Sequence, residues 1–285
     1  MKTILIPTDF SKVAKIATKV AIGIAQRASA KLVLLHIIER PDSVSFNIEG
    51  QISELDNWED KLYTLKLIEK AKKEMAAVRE EAGAIDVNVT SELRLGNPFH
   101  GMREVITEHD VDLVVMGTSG HSKLEEMIIG SNTEKVIRHA ACPVLTVHDR
   151  PGKNEFKNIV YATSLSDDEI DFAAVVKNTQ EMYGSTVHVL RINTPENFQS
   201  DTVVKKVMND FVKKIKLKNY TLNVFNDHSE EEGIIHFADS INADLVAMST
   251  HGRTGFAHVL VGSIAEDVAN HSSRPVLTYV NKKKT

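Results

Sequence analysis

At 285 residues the chain is longer than most chains that fold around a single hydrophobic core, so we expect two domains. A net charge of −5 gives no general attraction for nucleic acid or for anionic membranes, and 42% apolar with 26% charged residues is ordinary for a globular protein. The single cysteine, Cys142, excludes an internal disulfide and a cysteine-based zinc cluster, and we expect it to be buried. The chain runs at once into a strand-like segment, with no signal-peptide pattern and no apolar run long enough to span a bilayer, so we expect a cytoplasmic protein.

The first elements alternate between strand and helix. The apolar run 4–7 predicts a strand, and Ser11 is a good N-cap for a helix whose apolar residues recur every three to four positions. Residues 32–38 predict a second strand without polar alternation, as expected when helices cover both faces of a parallel sheet. Residues 41–57 are polar and predict a surface excursion.

The alternation continues through the rest of the first half. We predict a long amphipathic helix to about residue 81, a strand over 86–93, a helix over 98–108, a strand over 112–116, a helix over 132–140 and a strand over 143–147. This order is typical of a doubly wound parallel α/β domain.

The same order then repeats. Residues 157–160 match residues 2–5 at an offset of 155, and Ile192 matches Ile37 at the same offset. From the third strand onward the offset is 132, and the matching pairs are Gly101 with Gly233, Asp112 with Asp244, Gly120 with Gly252, Gly130 with Gly262, and Pro143 with Pro275. Because the offset stays constant over so many positions, the sequence predicts a tandem duplication, with domains at 1–149 and 155–285.

Two similar domains on one chain should pack with approximate two-fold symmetry, as a pseudo-dimer that imitates a homodimer. We expect the terminal strands of the two halves, at 143–147 and 275–280, to form the pairing edge. The sequence leaves open both an unidentified protein partner and a homo-oligomer of whole chains.

A glycine pattern after the fourth strand carries the strongest functional signal. Gly117 and Gly120 leave the strand, and after nine more residues Gly130 and Ser131 precede a helix. Glycines let backbone N–H groups approach a phosphate, and a helix N-terminus adds unpaired donors and the positive end of its dipole. The pattern therefore predicts an anion cradle, and the alternative is that these glycines only allow turns.

The spacing Gly117-x2-Gly120-x9-Gly130-Ser131 resembles the nucleotide-binding signature of the universal stress protein family, and the resemblance extends over nearly all of both halves, including residues 6–11, 34–37 and 141–145. It implies two five-stranded parallel sheets in 3-2-1-4-5 order, of the adenine nucleotide alpha-hydrolase-like fold. It also implies ATP at the carboxyl ends of the strands, as in the ATP-binding subgroup. That position agrees with physical expectation, because strand order reverses between strands one and four.

The resemblance also implies roles for single residues. Asp9 would bond the ribose or the adenine edge, although from the residues alone it could instead cap the first helix. The backbone of Ile37 would contact adenine, Met116 and Gly117 would line the sugar side, and Gly120 would permit close approach of the loop. The phosphate ligands would be Gly130, Ser131, Asn132 and Thr133, and the remaining pocket residues would be Pro7, Thr8 and His121.

The second half departs from this pattern at three positions. Ser164 stands at the position of Asp9, Ser249 at that of Gly117 and Ala265 at that of Thr133, while the later glycines remain. Ser164 lacks a carboxylate, and Ser249 adds a Cβ where we expect backbone to approach ligand. We therefore predict that the second site is weak or empty.

These observations favour an ATP-binding regulatory or stress-response protein over an enzyme. The alternatives are a slow ATPase, with Mg²⁺ held mainly by the phosphates, and an interaction module that has lost its nucleotide. The chain lacks a P-loop pattern and an evident general base beside the glycines, so we predict no catalytic residue. Its histidines lack tight ligand spacing, so we predict no metal site in the protein itself.

Overall fold

The computed structural model describes residues 1–39, 58–118, 129–149, 155–251 and 263–281. The surface excursion predicted at 41–57 lies outside the described residues, as do Gly120 and His121. None of the helices in the described ranges is both long enough and apolar enough to cross a membrane.

Nine elements make up the first half. They are β1 (Thr3–Pro7), α1 (Lys12–Ala28), β2 (Lys31–Ile38), α2 (Trp58–Gly83), β3 (Val89–Leu95), α3 (Pro98–Glu108), β4 (Leu113–Gly117), α4 (Ser131–His139) and β5 (Val144–Val147). Ser11 caps α1 as predicted, because its side chain accepts a hydrogen bond from the Ala14 N–H.

The second half repeats this order. Its elements are β6 (Asn158–Ala162), a short 3₁₀ turn (Asp167–Glu169), α5 (Ile170–Tyr183), β7 (Thr186–Asn193), α6 (Asp201–Ile215), β8 (Tyr220–Asn226), α7 (Glu230–Ser240), β9 (Leu245–His251), α8 (Ser263–His271) and β10 (Val276–Asn281).

All ten strands form one sheet in the order β3-β2-β1-β4-β5-β10-β9-β6-β7-β8. Pairing is parallel within each half, and β5 meets β10 in antiparallel register, with Leu145 opposite Leu277. The predicted 3-2-1-4-5 order is thus confirmed in both halves, and so is the predicted pairing of the two terminal strands.

The core lies on both faces of this sheet and is continuous across the two halves. Ile4 and Ile159 belong to a cluster beneath α1, α2, α5 and α6, whereas Leu5 and Val160 belong to a cluster beneath α3, α4, α7 and α8. Neighbouring residues of one strand are therefore buried on opposite faces, which explains why the strands lack polar alternation. Cys142 is buried, as predicted.

The start of β3 differs from the prediction. The strand begins at Val89 and not at residue 86, because the preceding residues complete the end of α2. Asp86 adopts a left-handed conformation with φ 58°, and the Val87 N–H donates to the Ala82 carbonyl. In the sequence, polar and apolar residues alternate in this turn as they do in a half-buried strand.

The repeated aspartates have the same structural task in both halves. Asp112 Oδ2 accepts hydrogen bonds from the N–H groups of Lys2 and Thr3, and Asp244 Oδ2 accepts from those of Lys157 and Asn158. Each carboxylate ties the start of a half's first strand to the start of its fourth, which keeps the two strands at the site in register.

Candidate nucleotide-binding site

The candidate site lies where β1 and β4 end side by side. These two strands are parallel neighbours, and β2 lies on the other side of β1, so the order of strands reverses here. The turn after β1 fixes Asp9, whose Oδ1 accepts a hydrogen bond of 3.0 Å from the Ser11 N–H. Asp9 thus takes part in starting α1, as the alternative interpretation expects, and is held at the carboxyl end of β1.

His36 joins this turn to the end of β2, where Ile37 lies. Its Nδ1 lies 2.7 Å from the Thr8 carbonyl oxygen and therefore carries the donated proton, while the Thr8 N–H donates to Leu35. The ring of His36 also packs against that of Phe10, with 4.6 Å between centroids. Our sequence interpretation did not include His36 in the site. A histidine near the end of an otherwise apolar strand was the available signal.

Gly117 is needed for close packing between β4 and α1. A Cβ at this position would lie 2.9 Å from Val13 Cγ1 and 3.3 Å from the Ala14 nitrogen. The sequence predicts that this glycine lets the backbone approach a ligand, and the structure adds a packing reason for the glycine, because its close neighbour is the first turn of α1. Met116, immediately before it, is buried in the core.

Thr133 closes the site from the side of α4. Its hydroxyl donates to the Gly117 carbonyl at 3.1 Å, and the residue is only 5% exposed. Because the hydroxyl proton is used in this bond, Thr133 can donate to an anion only through its backbone N–H.

The N-terminus of α4 is the candidate cradle. Gly130 is the N-cap, without a side-chain cap, and its N–H donates to the Thr118 carbonyl at 2.7 Å. The next three residues, Ser131, Asn132 and Thr133, begin the helix, so their N–H groups have no intrahelical partner and lie at the positive end of the dipole. This arrangement can bind an anion.

Gly130 differs from Gly117 in what surrounds it. Its φ of −64° suits any residue, and a Cβ would lie 3.7 Å from the Thr118 oxygen and 3.8 Å from Thr133 Oγ1. Neither backbone conformation nor contact with these described atoms requires a glycine here. A glycine at this N-cap places no side chain of its own between an incoming phosphate and the N–H groups of the helix start.

A cavity of about 180 Å³ occupies the corresponding place in the second half. Among the residues that line it are the counterparts of six predicted site residues, Thr8, Asp9, Ile37, Met116, Gly117 and Thr133, and these counterparts are Thr163, Ser164, Ile192, Met248, Ser249 and Ala265. The duplicated fold therefore brings these six positions together around one cavity.

Glu169 distinguishes the second cavity from the first site. It lies at the position of Ala14 and is only 1% exposed, and its carboxylate accepts hydrogen bonds from the side chains of Tyr161, Thr163 and Ser164 and from the Ser164 N–H. Burial is the main cause that raises the pKa of Tyr161 well above its ordinary value, so the phenol keeps its proton and donates a hydrogen bond to Glu169. In the second cavity the carboxylate thus comes from the position of Ala14 and not from that of Asp9.

The start of the helix also differs between the halves. The first turn of α1 packs against Gly117, whereas the corresponding residues of the second half form the 3₁₀ turn Asp167–Glu169. At this place β9 carries Ser249, whose Oγ is buried and has no hydrogen-bond partner among the described residues. The substitution of glycine by serine thus coincides with a changed helix start.

Three potential metal ligands lie close together away from this site. Within the described ranges, ligand atoms of Glu92, Glu108 and His109 lie within 4.8 Å of one another. The guanidinium of Arg94 contacts both carboxylates, and its hydrogen bond to Glu108 is the main cause that lowers the pKa of that carboxyl. Because this cation already pairs with both acidic groups, we assign no metal to the cluster.

Fold and site together define a tandem pair of doubly wound α/β domains with a candidate anion cradle at the switch point of the first. Residues 1–148 and residues 155–279 each match the model of the universal stress protein family. The chain therefore belongs to the universal stress protein family, as a tandem two-domain member.

Individual relatives agree with this assignment. A universal stress protein of Methanocaldococcus jannaschii is 31% identical over 153 residues, which cover 51% of this chain and 94% of the relative. A putative universal stress protein of Staphylococcus aureus is 32% identical over 166 residues, covering 58% of this chain and 94% of the relative. A solved universal stress protein of Archaeoglobus fulgidus covers 98% of both chains with a TM-score of 0.76 and 19% identity, a likeness of fold alone.

Proposed function

We propose that the first half binds ATP at the carboxyl ends of β1 and β4, and that nucleotide occupancy changes the packing of the halves or the binding of a protein partner. The observation that carries the proposal is the start of α4. Its uncapped N-terminus lies beside the end of β4 through the hydrogen bond from Thr133 to Gly117. Unpaired N–H groups at a helix N-terminus favour a phosphate electrostatically and through hydrogen bonds.

In this proposal the two sides of the site bind different parts of the nucleotide. The turn that holds Asp9 and the end of β2 at Ile37 contact the nucleoside, and Pro7, Thr8, Met116 and Gly117 shape that side of the pocket. The start of α4 binds the phosphates through the N–H groups of Ser131, Asn132 and Thr133. Gly120 and His121 lie outside the described residues, and they keep in this proposal the roles that the family resemblance implies.

Magnesium, in this proposal, is bound mainly by the phosphates and not by a protein cage. The chain then acts as a binding protein, and hydrolysis, if present, is slow. A steady-state rate near the common enzyme value of about ten per second would contradict this and favour the ATPase alternative.

The second cavity, we propose, does not take the same ligand. Glu169 places a carboxylate next to Ser164, and the Ser164 hydroxyl is used as a donor to it. Each Glu169 oxygen already accepts two hydrogen bonds from the protein, so this carboxylate is not free for the nucleoside contact proposed for Asp9. One ATP per chain is the expected stoichiometry.

The direct test is to identify what the purified protein holds. Heating releases bound small molecules for mass spectrometry, and calorimetric titration with ATP and Mg²⁺ then measures stoichiometry and affinity. Adenine nucleotide at one equivalent per chain supports the proposal. Two equivalent sites would contradict the proposed difference between the halves, and failure to bind ATP at millimolar concentration would favour an interaction module without nucleotide.

Gly130→Val is the informative variant, because it adds a side chain at the start of α4, where a Cβ would lie no closer than 3.7 Å to a described protein atom. It should abolish ATP binding while the thermal unfolding midpoint stays near that of the parent. Gly262→Val, the matched change at the counterpart in the second half, should leave the affinity unchanged. Gly117→Val is unsuitable, because its clash with Val13 would mix loss of packing with loss of binding.

A further inference from the structure

Helix α8 of the second half contacts α4 of the first half near both ends of α4. The Ile129 N–H, one residue before the N-cap Gly130, donates to Asn270 Oδ1 at 2.9 Å. Near the other end, Arg138 Nε and Nη2 each lie 2.5 Å from a carboxylate oxygen of Glu266. Since α4 carries the proposed phosphate cradle, the second half touches the element on which nucleotide binding would depend.

The hydrogen bond to Asn270 acts at the entry to the cradle. Ile129 is 8% exposed, and its N–H and that of Gly130 are consecutive donors that bond to Asn270 and to the Thr118 carbonyl. These two bonds fix the direction in which the chain enters α4. The next three N–H groups, from Ser131 onward, are the donors of the candidate cradle.

The Arg138–Glu266 pair secures the other end. Glu266 is 8% exposed, and the hydrogen bond from Arg138 to it is the main cause that raises the pKa of the arginine above its ordinary value. Arg138 also pairs with Glu134 of its own helix at 3.0 Å. A two-point contact with a carboxylate restricts both distance and orientation, so α4 cannot readily turn about its axis.

The contact between α4 and α8 does not follow the pseudo-two-fold symmetry at these positions. At the offset of 132, Asn270 is the counterpart of Arg138 and Glu266 is the counterpart of Glu134. A symmetric interface would have two arginine–glutamate pairs, but asparagine at 270 replaces one pair with a bond to the Ile129 backbone. The reverse contact is chemically unavailable, because the arginine side chain has no acceptor for a backbone N–H.

We infer that Asn270 is a positioning residue through which the second half orders the phosphate cradle of the first, with no reciprocal contact from Arg138. The inference rests on the proposed ATP site for its functional consequence. It assigns the second half a role in nucleotide affinity that does not require it to bind nucleotide.

The test compares Asn270→Leu, which removes the acceptor at similar volume, with Thr278→Val. The second variant removes a different hydrogen bond across the same junction, from Thr278 to the Val144 carbonyl at 3.3 Å, and serves as the matched control. Amide hydrogen exchange by NMR follows Ile129 in the absence of ligand. Calorimetry measures affinity for Mg-ATP and for adenosine, which lacks phosphates.

For Asn270→Leu we expect Ile129 to exchange about fivefold faster and ATP to bind about fivefold more weakly, the factor for one lost hydrogen bond. Adenosine affinity should stay unchanged. Thr278→Val should change neither the exchange rate of Ile129 nor the affinity for ATP or adenosine. Asn270→Asp retains an acceptor and should restore slow exchange of Ile129.

Unchanged exchange in Asn270→Leu would overturn the inference, as would faster exchange with unchanged ATP affinity. Equal weakening of ATP and adenosine would also overturn it, because that is the result of a general structural role. A parent protein that binds no nucleotide would refute the proposed function instead, and the exchange rates would still decide whether Asn270 orders the start of α4.

Discussion

Val13 occupies the space that a side chain at Gly117 would need, with 2.9 Å between its Cγ1 and the position of a Cβ at 117. This relationship links the end of β4 to the first turn of α1 on the side of the candidate site where Asp9 lies. The glycine that the sequence presents as a ligand contact is also required by protein packing.

We predict that Gly117→Ala lowers the free energy of unfolding by about 1–3 kcal/mol, the usual cost of overpacking. Gly23→Ala is the matched control, because a Cβ there meets nothing within 4 Å in the interior of α1. That change should stabilise the protein by roughly 0.5–1 kcal/mol through helix propensity. Urea unfolding of both variants checks the pair, and equal effects would contradict the assigned contact.

We predict measurable coupling between Arg138 and Glu266 across the two halves. The Glu266 side chain is 10% exposed, so loss of Arg138 leaves a largely buried carboxylate, and a double-mutant cycle should give a coupling of about 1–2 kcal/mol. The Lys12–Asp149 pair, at 76% and 54% exposure, should give less than about 0.5 kcal/mol. Coupling energies of similar size in the two cycles would show that burial of Glu266 does not matter.

Glu169 should be important for the stability of the second half. Glu169→Gln replaces one acceptor oxygen by an NH₂ group and leaves donors such as the Ser164 N–H without a partner, so we expect destabilisation of about 2–3 kcal/mol. Tyr161→Phe removes one donor from the same carboxylate and should cost about 1 kcal/mol. Urea midpoints measure both changes. A Glu169→Gln variant as stable as the parent would show that the carboxylate network contributes no net stability.

Tyr183 should contribute to alkaline unfolding. Burial raises the pKa of its phenol from 10.0 to about 12, although the Arg27 cation partly opposes the shift. Because the folded pKa exceeds the unfolded one, this contribution to stability is fully present below pH 10 and is lost as the pH rises toward 12.

The check for Tyr183 is the free energy of unfolding between pH 9 and pH 12. Relative to the parent, Tyr183→Phe should gain up to about 2.7 kcal/mol across that range, the equivalent of a two-unit shift. A difference between the two proteins that stays constant with pH would contradict the assigned shift.

Most of the fold could be predicted from local patterns in the sequence. Apolar periodicity identified the strands and helices of the first half, and the internal repeat extended the same order to the second. The error at the start of β3 arose because residues 84–87 complete the end of α2 through backbone hydrogen bonds. The alternation of polar and apolar side chains does not show these backbone bonds. The site could be predicted only in part, since the glycine pattern identified the start of α4 but not the packing reason for Gly117.

The sequence by itself determined that this chain contains two copies of one α/β domain, and it predicted a candidate anion cradle after the fourth strand of the first copy. It could do so because periodicity, capping and glycine spacing act over a few residues. The tertiary structure decided that Glu169 is buried beside Ser164 in the lining of the second cavity, and it placed Asn270 next to Ile129 at the start of α4. The Asn270–Ile129 contact joins residues 141 positions apart, a separation that only the folded topology closes.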